Sequence, residues 1–278
     1  MNKCNIYLSG GSIPWLNTKQ SIKLAKETGL DGIELVPFKR ITSELLKSYR
    51  QNAFRNDVEM SYVKNVHQSW RLDVGHDEEY GIGFISSLFF IMLRFLLFPK
   101  VRESNNLIEL LTQNLNIPVT VHDISDNWTK DNQGKEFPGG ILYEIIGTSI
   151  NPKKLKIWMK DETHNVVVDC RDDQSLRWAK NYGFNSWQKF WNWIGVKKIK
   201  CIQLTFIGIN GLKKITKHEN SLAEEQLLWL NKKKWKGSVT IEVNPVTLFI
   251  LYRGNIKKGL MEIYLFVKQT LLEGRKWS

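Results

Sequence analysis

Short runs of β-branched and other apolar residues return eight times along this chain, with helical spacing of apolar positions in the stretches between them. Strands that alternate with helices are the pattern of repeated βα units. The candidate strands are Asn5–Leu8, Gly32–Leu35, Glu59–Val63, Pro118–Val121, Ile141–Tyr143, Val166–Val168, Cys201–Leu204 and Val239–Val243. Eight such units in 278 residues fit a closed (β/α)8 barrel, the TIM-barrel architecture of the α/β class. No low-complexity linker and no sharp internal repeat divides the chain, so one domain over residues 1–278 is expected.

Several of the intervening helices carry start and stop signals. Asn17-Thr18 precedes Lys19–Thr28, Gly29 stands where a left-handed C-terminal residue is wanted, and Ile22, Leu24 and Ala25 form the inward face. Asn151-Pro152 opens Lys153–Asp161, with proline in the first turn, where its missing N–H has no partner to lose. Asp173–Asn181 stops before Gly183 in the same way. The interval Asp123–Gly140 breaks the pattern: it is polar, holds Gly134, Pro138, Gly139 and Gly140, and offers no amphipathic helix. Either one barrel helix is lost between strands four and five, leaving a loop that covers the site, or the fifth strand is misplaced.

Forty Lys and Arg against 28 Asp and Glu leave a formal charge of +12, which favours anionic partners: nucleic acid, phosphorylated metabolites or a lipid surface. Basic clusters at Lys153–Lys156, Lys197–Lys200, Lys213–Lys217 and Lys232–Lys236 read first as solvated helix faces. Cys4, Cys170 and Cys201 are odd in number, far apart and without a Cys-x-x-Cys pair, so neither a disulfide framework nor a cysteine zinc site is indicated. With no secretory pattern at the start, a cytoplasmic location is expected. The most apolar stretch, Phe84–Phe98, contains Arg94 and is shorter than the roughly twenty residues that span a bilayer; it reads as a buried helix, and no membrane partner is expected.

In a parallel barrel the chemistry gathers at the C-terminal ends of the strands. Seven ends carry a group able to bind a metal or transfer a proton: Glu34, His67, His122, Glu144, Asp169, Gln203 and Glu242. Packing alone does not account for apolar strands ending in carboxylates, because a buried carboxylate needs a cation, hydrogen-bond donors or a metal. A shared divalent ion would satisfy Glu144, Asp169 and Glu242 together. Carboxylate and glutamine oxygens suit Mg²⁺ or Mn²⁺, and His67 or His122 would move the preference toward Zn²⁺, Co²⁺ or Fe²⁺.

Ala25-Lys26-Glu27-Thr28-Gly29-Leu30-Asp31-Gly32-Ile33-Glu34-Leu35, followed in order by His67, His122, Val168-Asp169 and Thr240-Ile241-Glu242, resembles the xylose-isomerase-like TIM-barrel superfamily over approximately Asn5 to Pro245. That superfamily includes sugar-phosphate isomerases and epimerases and the metal-dependent apurinic endonucleases. The resemblance implies a metal held from the fifth to eighth strands by a glutamate, an aspartate, a histidine and a second glutamate, positions that read here Glu144, Asp169, Gln203 and Glu242. Gln203 replaces the histidine; it offers a carbonyl oxygen but binds borderline metals less well. In the endonuclease branch further histidines complete a three-ion cluster, and His67, His122 and Glu144 resemble one of its sites. Asp172 stands where that branch has a histidine, and the Asp-x-His pair after strand seven is absent from Ile207–Gly211, which disfavours phosphodiester cleavage by that route.

The leading reading is therefore an isomerase or epimerase of a small sugar or sugar phosphate, moving a proton beside a carbonyl between Glu144 and Glu242. Trp15, Trp70 and Trp128 follow the first, third and fourth strands and would wall the pocket, and Lys64 or Arg71 would meet a phosphate. The alternatives are an apurinic-endonuclease-like DNA-binding or nuclease protein, and a barrel that has lost catalysis. Substrate, metal identity and oligomeric state are left open by the sequence.

Overall fold

The structure, a computed structural model, describes residues 4–13, 16–35, 43–56, 59–64, 118–121, 140–145, 152–162, 164–170, 179–204, 222–243 and 245–277. The strands are β1 (Ile6–Ser9), β2 (Gly32–Leu35), β3 (Glu59–Lys64), β4 (Val119–Val121), β5 (Ile141–Ile145), β6 (His164–Cys170), β7 (Ile199–Leu204) and β8 (Ser238–Ile241). Each pairs in parallel with the next, and β8 returns to β1 through Ile6 opposite Val239 and Leu8 opposite Ile241, closing the barrel. The described helices are α1 (Thr18–Thr28), α2 (Ser43–Arg55), α3 (Pro152–Trp158), α4 (Trp187–Ile194), α5 (Leu222–Lys232), α6 (Pro245–Leu251) and α7 (Ile256–Val267), the last running into a wider turn over Lys268–Leu272. The expected architecture is thus complete in its strands and, among the described residues, partial in its helices. The Phe84–Phe98 helix and the 123–139 interval lie outside the described residues. No helix among those described is long and apolar enough to cross a membrane.

Local chemistry explains the element ends. Asn17 Oδ1 accepts from the Gln20 backbone N at 3.0 Å while Gln20 Oε1 accepts from the Asn17 N at 2.9 Å, a reciprocal cap on the first turn of α1. Gly29, at φ 77°, ends it in the left-handed conformation that costs a glycine nothing. Ile22 and Ala25 are buried and Leu24 packs beside the core, as their spacing predicts. Gly183, also left-handed, follows the helical turn that ends at Asn181. α3 stops at Trp158 rather than at Asp161, because Lys160 and Asp161 turn the chain into β6 and Lys198 Nζ donates to the Asp161 carbonyl at 2.6 Å.

The strands sort their side chains by parity. Leu8, Ile33, Val166, Val168, Ile202, Leu204, Val239 and Ile241 belong to the large core between sheet and helices, with Ile22, Phe190, Trp191, Leu227, Leu230 and Ile263 from the helical layer. Tyr7, Leu142, Val167 and Cys201 form a separate buried cluster. These four alternate with the outward set along their strands and so fill the barrel interior.

Candidate functional site

Two residues further along those strands the interior turns from apolar to polar. Tyr7 is followed by Ser9, Leu142 by Glu144, and Cys201 by Gln203; β2 adds Glu34, whose Cα stands opposite that of Ser9. Ser9, Glu34, Glu144 and Gln203 are all at least 97% buried. These polar side chains lie at the C-terminal end of the barrel because the strands are parallel and the same parity puts each on the inner face.

Two short contacts organise the group. Ser9 Oγ donates to Glu34 Oε2 at 2.7 Å, tying β1 to β2. Gln203 Nε2 donates to Glu144 Oε2 at 3.1 Å, reaching from β7 past β6 to β5. The other end of the same amide, Gln203 Oε1, is fully buried and has no hydrogen-bond partner among the described residues, as is also true of Thr120 Oγ1 on β4. A buried carbonyl oxygen without a donor is costly, and a cation or a ligand donor would relieve it.

The remaining positions read from the sequence fall as follows. Asp169 stands in β6 with its Cα opposite that of Gln203. Glu242 follows β8 immediately, half-buried, and its backbone N donates to the Leu204 carbonyl at 3.0 Å, which extends the β7–β8 ladder to the rim. Lys64 is the last residue of β3, its Cα opposite that of Thr120. His67, His122, Trp15, Trp70, Trp128 and Arg71 lie outside the described residues.

The described donors fit a hard divalent cation: Glu144 offers a buried carboxylate and Gln203 an unsatisfied carbonyl oxygen, the ligand types such ions take. Among the described side chains, no three of the His, Cys, Asp and Glu type form a metal-holding group. The set read from the sequence relies in addition on Gln203, which is of another type, and on His67, His122 and the Asp169 side chain, which are not among those described.

The cysteines serve packing. Burial pushes the Cys201 thiol far up, the negative charge of Glu34 adds to this, and its sulfur sits 3.4 Å from Thr240 Oγ1. Cys4 is pushed up to about 12, by burial first and by the Asp31 carboxylate second. Neutral thiols of this kind are poor nucleophiles. Asp31 itself accepts from the Ile6 backbone N at 2.7 Å, so the aspartate of Asp31-Gly32-Ile33-Glu34 braces the opposite end of the barrel from the polar group. His164 is structural: it stacks on Trp158, centroids 4.3 Å apart, at the start of β6.

Sequence reasoning gave no role to Ser9, Thr120 or Thr240, and placed Glu34 at a strand end without using it. Parity was the available signal, since Ser9 follows Tyr7, and Glu34 separates Ile33 from Leu35, at intervals that put both inside the barrel.

No family model matches the sequence, and no curated protein matches it. Solved structures do. A xylose isomerase domain containing protein from Salmonella typhimurium superposes with a TM-score of 0.56 at 11% identity, over 96% of this chain and 97% of the other. A xylose isomerase domain protein from Planctomyces limnophilus gives 0.54 at 9% identity, over 97% and 98%. A sugar phosphate isomerase/epimerase from Parabacteroides distasonis gives 0.54 at 9% identity, over 96% of each chain. The chain therefore shares the parallel barrel fold of these proteins, the fold that the resemblance carried by Ala25 to Glu242 implies.

Proposed function

We propose that the barrel mouth is the active site of an isomerase or epimerase acting on a small sugar or sugar phosphate, with Glu144 and Glu242 as the proton-transferring pair. Glu144, Asp169, Gln203 and Glu242 would hold a divalent ion, Mn²⁺, Mg²⁺, Co²⁺ or Zn²⁺, with His67 and His122 as further ligands. The observation that carries this reading is the buried Glu144–Gln203 pair, with one amide oxygen left without a donor among the described residues, at the end of a barrel where such folds place their chemistry. The fold shared with a sugar phosphate isomerase/epimerase supports the reading, although one architecture carries many reactions.

When bound, the ion would polarise the substrate carbonyl and so acidify the neighbouring C–H. Gln203 holds one oxygen of Glu144 by its amide N–H, which fixes the carboxylate plane in which a proton is accepted. Glu242, on the β8 rim, would return the proton from its own side. Trp15, Trp70 and Trp128 would exclude water around the sugar, and Lys64 or Arg71 would pair with a phosphate.

Metal analysis of the purified protein and of its Glu144→Gln, Asp169→Asn and Glu242→Gln variants tests this reading. The native protein is expected to retain a divalent ion and each variant to lose it or bind it more weakly. Exchange of the substrate proton with deuterated water across small ketoses should fall by about 10²–10⁴-fold in Glu144→Gln and Glu242→Gln. A native protein that carries no divalent ion, and whose thermal stability is unchanged on adding one, would remove the basis of the proposal.

A further inference from the structure

The outer face of the α6–α7 hairpin has a surface chemistry unlike the rest of the described molecule. Of six exposed large apolar side chains among the described residues, four fall here: Phe249 (54% exposed) and Ile250 (49%) on α6, Met261 (42%) and Leu265 (48%) on α7. Arg253, Lys257, Lys258 and Lys268 are exposed among them, and no Asp or Glu is exposed from Leu248 to Lys268. Glu262, the one acid in that span, is half-buried and bonded to the Tyr252 hydroxyl, so its charge is turned toward α6.

The hairpin is built to present this face. α6 and α7 are joined by a short turn in which Arg253 and Gly254 are both left-handed, at φ 50° and 80°. Leu248 and Tyr252 press against Gly259, which closes the two helices on their inner side. Leu260, Ile263, Phe266 and Val267 enter the core, and Lys257, bound to Glu27 Oε2 at 3.2 Å, marks the side of α7 that meets α1. Met261 and Leu265, one turn apart, lie on the solvent side of α7 opposite those core residues, with Lys257 and Lys258 in the turn before Met261 and Lys268 in the turn after Leu265.

We propose that this face docks on an anionic phospholipid surface, with the apolar side chains entering the headgroup boundary and the basic ones meeting lipid phosphates. Apolar tips amid cations, with Glu262 turned inward and Glu27 neutralised by its pair with Lys257, match a partner that is negative at its surface and apolar a few ångströms beneath. Nucleic acid offers the negative charge but nothing for Ile250, Met261 and Leu265 to dehydrate against. A second copy would bring cations against cations. The expectation of no membrane partner rested on the length of Phe84–Phe98, which bears on crossing a bilayer and not on lying against one.

The test is co-sedimentation of the full chain with vesicles of phosphatidylcholine alone and of equal parts phosphatidylcholine and phosphatidylserine, at low and physiological salt. Binding to the mixed vesicles, weakened by salt, is expected. Phe249→Ser with Ile250→Ser, and Met261→Gln with Leu265→Gln, should each abolish most of it. Lys258→Glu with Lys268→Glu should weaken it by about fivefold or more for each charge removed. These side chains are exposed, so thermal unfolding should be unchanged and confirms that each variant is folded. No sedimentation with mixed vesicles at low salt, sedimentation that the variants leave intact, or binding of duplex DNA in place of vesicles would each overturn the proposal. None of these readouts depends on metal binding or catalysis at the barrel mouth.

Discussion

Gln203 is the residue on which the polar end of the barrel turns. Its N–H anchors Glu144 and its carbonyl has no donor among the described residues, so under the proposed function a change there would alter both a proton-transferring carboxylate and a metal ligand. Gln203→His should tighten Zn²⁺ or Co²⁺ relative to Mg²⁺, because imidazole suits borderline ions better than an amide oxygen; metal titration of the two proteins side by side checks this. Remote from the site, Asn17→Ala removes the cap on α1 and should cost about 1 kcal/mol, read as a lower urea midpoint with unchanged slope. Glu144, Gln203 and Glu242 could be found in the sequence because each ends an apolar strand. Ser9 is harder to find, since a serine after Ile-Tyr-Leu reads as the first loop residue unless the parity of Tyr7 is followed one step further. Its bond to Glu34 joins strands 25 residues apart, and the bond from Gln203 to Glu144 spans 59, separations that pairing of neighbouring strands and the curvature of the sheet make short.

At the scale of elements, the strands were legible because strands covered on both faces keep an unbroken apolar signal. Their ends were less so: β6 runs from His164 to Cys170 where the apolar run is only Val166–Val168, because ladder partners on β5 and β7 hold the flanking polar residues in register. Pairing of helices left no comparable trace. Gly259, a poor helix former by propensity, is required where α7 meets α6, since an added Cβ would lie 2.6 Å from the Tyr252 ring and 2.8 Å from Leu248. Gly259→Ala should therefore destabilise the protein by about 1–3 kcal/mol despite alanine's better propensity, as equilibrium unfolding in urea would measure.

Across the whole molecule, buried weak acids set a limit on the alkaline side. Burial pushes Cys4 from 9.0 up to about 12 and moves Cys201, Tyr182 and Tyr252 upward as well. The unfolded chain releases these protons at lower pH than the native one, so their contribution is present below about pH 9 and is lost as pH rises through the native values. The urea midpoint should be flat between about pH 7 and pH 8.5 and fall steeply beyond about pH 10. Return of β8 to β1 has a consequence of another kind. A ring of strands has no first or last member, so none of those described offers a bare row of amides to a neighbouring chain. Growth of fibres from the native state is blocked until that ring is breached, and turbidity on heating should lag, not lead, the loss of ellipticity.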